Sequence, residues 1–270
     1  MTGCVFVSCQ QSYKTLDGRG AEVTLLTYGL RLMGVQHVII HNLRFDGSLG
    51  PFHADQDPGG DAIKMKDGTA HVWVDHCSLK HYPDGLIDIT RRSTDVTVSY
   101  CKFEEHNKVM LIGASPTHTD DTVIRVTVHH NHFLRTTQRH PRARFGRVHI
   151  FNNLYEGWGD YGIASTQEAD VLSQGNIFLA GEDPEATSTL QGSDPLRGYL
   201  RSEGDLARNG AVILTRPMPG GGGFRPEDYS FRAVEVAPAD SALEALVRSS
   251  AGQQPPAPQE EDEPNEKDEA

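Results

Sequence analysis

The feature that most constrains this chain is an internal repeat. Six short runs share one pattern: VIIHNLRF (Val38 to Phe45), VWVDHCSL (Val72 to Leu79), VTVSYCKF (Val96 to Phe103), VTVHHNHF (Val126 to Phe133), VHIFNNLY (Val148 to Tyr155) and VLSQGNIF (Val171 to Phe178). Their starts are 34, 24, 30, 22 and 23 residues apart. Each run opens on alternating apolar residues, the pattern of a strand with one buried face. The sixth position then reads Leu43, Cys77, Cys101, Asn131, Asn153, Asn176, and the eighth is aromatic in every run except at Leu79. One strong strand per period of roughly 23 residues, with no amphipathic helix between, predicts a parallel β-solenoid. Stacking successive coils turns equivalent residues into columns, so Asn131, Asn153 and Asn176 form an amide ladder at a turn while the aromatic column stacks inside. A propeller or sandwich needs several antiparallel strands per repeat and longer periods.

Where an interval is long, the excess must leave the coil as a loop, and solenoids place function on such loops. The long intervals hold HADQDPGGDAI before Val72 and EEHNKVMLIGASPTHTDD before Val126. No stretch approaches 18 consecutive apolar residues, so no membrane-spanning helix is expected, and the first residues show no signal-peptide pattern. Four cysteines match neither a disulfide scaffold nor a zinc motif; Cys77 and Cys101 fall at equivalent positions of successive coils, where they can stack as thiols or bridge.

Charge matters in its distribution. The chain carries −12, but from Gln253 onward seven acids oppose one base, so this tail accounts for −6 and the other 252 residues for −6. The reading is a solenoid domain over residues 1–252, closed by an amphipathic helix in SALEALVRSSAG (Ser241 to Gly252), and a disordered acidic tail over 253–270. Against this acidity stands a basic cluster: Arg135, Arg139, Arg142, Arg144 and Arg147, with His140. Such a patch suits a polyanion. The single Phe, Tyr or Trp inside it, Phe145, is not the aromatic interleaving of a nucleic-acid site, whereas Arg recognises carboxylates bidentately. Arg135 and Arg147 read as partners of surface acids. Asp75-His76, at a strand-to-turn position, reads as a buried hydrogen-bonded pair.

The series DAI (Asp61 to Ile63), VWVDHC, DGLIDI (Asp84 to Ile89), HNKVMLIG (His106 to Gly113), VTVHHNHF, QRHPRARFGRVHIFNNLY (Gln138 to Tyr155) and SQGNIF resembles the pectate lyases of polysaccharide lyase family 1. SYKTLDGRGAEV (Ser12 to Val23) is similar to an early coil of the same family, and the match runs in order from about residue 5 to 215. The resemblance implies a right-handed single-stranded parallel β-helix, here without the family's N-terminal cap and first coil. It implies Ca²⁺ as cofactor, with Asp61, Asp84 and Asp88 as ligands. Spacing alone reads those residues more blandly, as a capping Asp in the Pro83-Asp84-Gly85 turn and an Asp after Gly59-Gly60. In a fully extended strand Asp84 and Asp88 would sit about 13 Å apart, so the turn would have to bend Asp84 back. Gly59 stands where some members carry a further acid, which implies weak affinity until substrate completes the shell.

The resemblance further implies β-elimination on polygalacturonate. A base removes the C5 proton of a uronate, the C4 glycosidic oxygen leaves, and a 4,5-unsaturated sugar results. Arg139 is the implied base, with Lys108, Arg142 and Arg144 on the substrate. Because an ordinary Arg pKa lies far above neutrality, deprotonation near pH 8.5 costs roughly 5 to 7 kcal/mol, so a rate rising with pH is expected. Three alternatives remain open at this stage: hydrolysis by paired carboxyls, a pectin lyase acting on methylated pectin in an aromatic-rich cleft, and an inactive β-helix that binds acidic polysaccharide. The expected partner is thus an acidic polysaccharide met by a monomer outside the cell, with neither nucleic acid nor membrane involved.

Overall fold

The structure, a computed structural model, describes residues 7–26, 28–49, 60–228 and 235–256. Among the described residues, twenty-four short strands fall into three all-parallel sheets of eight strands each, and successive strands visit the three sheets in turn. The result is a right-handed parallel β-helix of eight coils. Sheet A runs Val7–Cys9, Leu30–Met33, Ile63–Lys66, Gly85–Ile89, Lys108–Ile112, Arg142–Arg144, Ile163–Thr166 and Thr187–Ser188. Sheet B begins with Lys14–Asp17 and takes in Gln36–His41, Ala70–Asp75, Thr94–Ser99 and Arg125–His129. Sheet C consists of three-residue strands, among them Ser78–Lys80, Leu154–Glu156 and Ile177–Leu179.

The repeat seen in sequence is sheet B plus the corner into sheet C. Register aligns Val38, Val72, Val96, Val126, Val148, Val171 and Leu200 in one inward column. All seven are buried. The aromatic column continues on sheet C: Phe103, Phe133, Tyr155 and Phe178 stack with centroids 4.9, 4.7 and 4.6 Å apart. Truncating one such buried ring to alanine costs about 3–5 kcal/mol.

At the corner between these sheets the amide ladder forms. Asn153 Oδ1 accepts from both the backbone N–H and the side-chain amide of Asn131, each at 2.9 Å, and Asn176 Oδ1 does the same for Asn153. The ladder ends on Asp205, whose Oδ1 accepts from Asn176 N at 2.7 Å. Toward the N-terminus Cys77 and Cys101 replace the amides; both are buried free thiols that donate to backbone carbonyls, so the bridging alternative does not hold. The same corner turns through left-handed backbone at Asn42, His76, Tyr100, His130 and Asn152, so a positive φ is a recurring property of the coil.

The long interval before Val126 leaves between sheets A and B and carries a short 3₁₀ turn at Thr119–Val123. Gly113 starts it: its φ is 78°, and a Cβ there would lie 2.5 Å from the Arg144 carbonyl oxygen. Residues 50–59 of the other long interval, Gly59 included, lie outside the described residues. The helix α1 spans Ser241–Ser250, capped by Asp240, whose Oδ1 accepts from the Ala242 and Leu243 N–H groups. Its buried Leu243 and Val247 pack on Leu154 and Ile177 of sheet C. Beyond it, Gln253 N donates to Ser78 Oγ at 2.9 Å and Gln254 N to Asn42 Oδ1 at 2.7 Å, so the chain is still docked there. The remainder of the acidic tail, residues 257–270, lies outside the described residues. No described helix is long and apolar enough to cross a membrane.

Candidate active site

Sheet A gathers the charged residues because its strands alternate. In Gly85–Ile89, Ile87 and Ile89 are buried and Asp88 between them points outward. Register then places Arg31, Lys64, Asp88, Leu111 and Arg142 in one column across the outer face. Asp61 precedes the strand Ile63–Lys66, Asp84 immediately precedes Gly85, and Lys108 opens its own strand opposite Gly85. All the residues expected in a site therefore sit on four consecutive coils of one face.

Gly85 is the meeting point of two aspartates. Its N–H donates to Asp61 Oδ1 at 2.9 Å, and a Cβ on it would lie 2.8 Å from Asp61 Oδ1 and 3.3 Å from Asp88 Oδ1. Any side chain there would fill the space between the carboxylates. The bend at Pro83-Asp84 keeps Asp84 within electrostatic reach of both. Burial, aided by the Asp84 charge and opposed by Lys64, raises the Asp61 pKa. Burial and then the Asp61 and Asp84 charges push Asp88 up to about 7, with Lys64 and Arg139 opposing.

Two ammonium groups partly answer this repulsion: Lys64 Nζ lies 2.7 Å from Asp61 Oδ2, and Lys108 Nζ lies 2.8 Å from Asp84 Oδ1. Paired in this way, the three carboxylates do not reach mutual ligand spacing; among the described residues only His41, Asp75 and His76 have ligand atoms all within 4.8 Å. The donor set nevertheless fits a hard cation. It is entirely oxygen, its charges repel, and no ion pair reaches Asp88 among the described residues.

The sign of the resulting pH effect is fixed. A carboxyl raised from 3.8 to about 7 favours the fold while neutral, so its contribution is full below pH 4 and is lost as pH rises toward 7. With the cation chelated, stability is expected to fall by a few kcal/mol over that window. Melting temperatures between pH 4 and 7.5 check this. Asp88→Asn should match wild type near pH 4 and exceed it at pH 7.5, and a gap independent of pH would refute the assignment.

Arg139 lies beside Lys108 and Asp88. Its carbonyl accepts from Met110 N at 2.8 Å, and Gln138 pairs with Lys108, so residues 138 and 139 extend sheet A pairing. The Arg139 Nε is buried without a hydrogen-bond partner. Arg135, by contrast, is an exposed partner of Glu105 at 2.7 Å, as the sequence reading has it.

Arg142 and Arg144 differ from the expectation of open substrate contacts. They are 8% and 9% exposed, and both guanidinium groups are held by Asp194. Arg142 Nη2 donates to Asp194 Oδ2 at 2.6 Å and to the Gln191 carbonyl, while Arg144 Nε lies 3.0 Å from both Asp194 oxygens. Thr166 Oγ1 adds a third donor at 2.8 Å. Burial and then the neighbouring Arg142 charge lower the Arg144 pKa, against the pull of Asp194. The sequence reading missed Asp194 and Lys64. Lys64 carried a weak signal, a base three residues after Asp61; Asp194 carried none.

Comparison with known proteins places these residues in context. A family model described as pectate lyase matches residues 7–195. Pectate lyase 1 of Ambrosia artemisiifolia is 40% identical over 220 residues, covering 75% of this chain and 55% of that protein. Pectate lyase 2 of the same plant is 37% identical over 259 residues, covering 89% and 64%. The chain thus spans between about half and two thirds of the length of these curated relatives. Among solved structures, the cedar pollen allergen jun a 1 superposes with a TM-score of 0.76 at 33% identity, covering 92% of this chain and 78% of that one. A pectate lyase of Bacillus sp. N165, solved in complex with trigalacturonate, gives 0.77 at 24% identity, covering 92% and 80%.

Proposed function

The chain belongs to the pectate lyase family, and from that premise we propose that it cleaves (1→4)-α-D-galacturonan by Ca²⁺-dependent β-elimination. The observation that carries the proposal is the meeting, on one face of four coils, of three mutually repelling aspartates with Lys108 and with Arg139, whose Nε has no hydrogen-bond partner among the described residues. Galacturonan is the polymer to which trigalacturonate, the ligand of the Bacillus relative, belongs. Asp61, Asp84 and Asp88 would hold the Ca²⁺, which when bound supplies Lewis-acid stabilisation of charge developing on a uronate carboxylate.

The rest is the work of this chain's own groups. Arg139 takes the proton from C5 of the sugar. As a neutral guanidine it is basic enough for this; the difficulty is reaching that form, which is why the rate is expected to rise with pH. Lys108 must exchange Asp84 for substrate, which its one-third exposed side chain permits. Arg142 and Arg144, buried behind the face, keep a positive field where negative charge accumulates. A pectin lyase reading finds neither tryptophan beside the aspartates: Trp158 is buried, and Trp73 lies on sheet B. Because the substrate is a polymer that does not cross membranes, the protein is expected to act outside the cell, as a monomer.

The test is ultraviolet absorbance of unsaturated product from polygalacturonate. Product should appear with Ca²⁺ and vanish with chelator, and the apparent Ca²⁺ affinity should rise with pH through the Asp88 value of about 7 and level off above it. Equal rates in chelator would remove the metal from the reaction. No product from folded protein would leave the fold without the lyase activity.

A further inference from the structure

A second cluster lies on sheet B, away from the aspartates. His41 ends the strand Gln36–His41, and register sets it opposite Asp75, the end of Ala70–Asp75. His76 follows at φ 49°, which turns its ring back toward the same carboxylate. His41 Nδ1 and His76 Nδ1 lie 2.9 and 2.6 Å from Asp75 Oδ2, and all three ligand atoms fall within 4.8 Å of one another. The Asp75 side chain is 4% exposed, whereas the imidazoles are 20% and 24% exposed, so the group is reachable from solvent.

The surroundings hold these atoms in place. Ser99 Oγ donates to Asp75 Oδ1 at 2.5 Å and accepts from Trp73 Nε1 at 2.8 Å. Its one hydrogen is thereby committed, and Asp75 is left to act as an acceptor. Burial pushes the Asp75 pKa up, but the hydrogen bonds from His76 and Ser99 outweigh it and hold the carboxyl below its ordinary value. The His76 ring is stacked on Tyr100 at 4.8 Å and 6°. Such oriented outer partners are what metal-ligating groups require.

We propose that His41, Asp75 and His76 form a binding site for a borderline divalent transition ion such as Zn²⁺, separate from the oxygen cluster of sheet A. Two imidazole nitrogens and one carboxylate favour such an ion over Ca²⁺, and three protein ligands leave a position open to water. Each imidazole would ligate through Nδ1 with its proton moved to Nε2, so the ion takes the place of the two N–H groups now hydrogen-bonded to Asp75. It would tie the coil of His41 to the coil of Asp75 and His76, so binding stabilises the fold. This site does not depend on the lyase reading.

The experiment uses the full chain with excess Ca²⁺, which occupies hard oxygen sites. Zn²⁺ is titrated against a chromophoric chelator, and Co²⁺ is followed by its visible absorption. One equivalent should bind and raise the melting temperature. His41→Gln and His76→Gln should each weaken binding at least tenfold, and Ser99→Ala by about tenfold. Glutamine can still donate to Asp75, and melting in chelator verifies that both variants fold. His129→Gln is the control, because His129 and His130 form another close imidazole pair, 2.9 Å between Nδ1 atoms. Absence of binding, binding indifferent to His41 and His76, or binding lost in His129→Gln would each overturn the assignment.

Discussion

Arg139→Ala is expected to lower kcat on polygalacturonate by about 100- to 10,000-fold, the range for removal of a positioned proton-transfer group. The fold should survive, because Arg139 Nε has no hydrogen-bond partner to lose and no ion pair of Arg139 exists among the described residues. KM should change less than kcat, since the aspartates and Lys108 remain. Initial rates of unsaturated-product formation at saturating substrate and Ca²⁺ measure both. The pH profile supplies the independent check. If a guanidine must lose its proton before it can act, the wild-type rate climbs from pH 6 to well above neutrality, and a profile flat between pH 6 and 9 would show that some other group takes the proton. A variant that keeps more than a tenth of wild-type kcat would do the same.

How much of this was legible in the sequence depended on strand length and on how far apart partners lie. Sheet B strands run up to six residues, long enough for Val-x-Val alternation to register, and they alone produced the visible repeat. The strands of sheet C have three residues, too few for a period of two to stand out; they showed only through the aromatic column that ends each run. The Asn ladder was legible because a parallel solenoid puts identical residues in contact, so recurrence in sequence becomes proximity in space. Sheet A was the least legible, and it carries the site. Its positions became candidates through family motifs, while the bend that lets Asp84 influence Asp88 is a tertiary outcome of the Pro83-Asp84-Gly85 corner. His41 escaped notice as a partner of Asp75 because 34 residues separate them.

Asp194 is the extreme case of that illegibility, and its removal has the largest expected effect on stability. Its arginine partners lie 52 and 50 residues earlier in the chain, yet its carboxylate, 1% exposed, is the common acceptor for Arg142, Arg144 and Thr166. Two buried guanidinium groups share one counter-charge, so its loss leaves them uncompensated in a medium that solvates them poorly. Asp194→Ala is expected to cost about 3–5 kcal/mol. For a chain of this size that is a melting temperature about 10 °C lower. Asp194→Asn keeps the shape and one acceptor oxygen and should fall between the two. Acid separates the charge from the packing. Burial raises the Asp194 pKa, but the bonds from Thr166, Arg142 and Arg144 outweigh it and hold the carboxyl below its ordinary value. Its stabilisation is therefore complete above pH 4 and is lost as pH falls through that depressed value. Melting temperatures of wild type and Asp194→Asn should converge below pH 4 and separate above it; curves that stay parallel to pH 2 would mean that shape, and not the buried charge, sets the cost. The same variant reaches the proposed chemistry through Arg144: without Asp194 its guanidinium is held by the Gly113 and Ala114 carbonyls alone, and kcat should drop even at temperatures where the variant is fully folded.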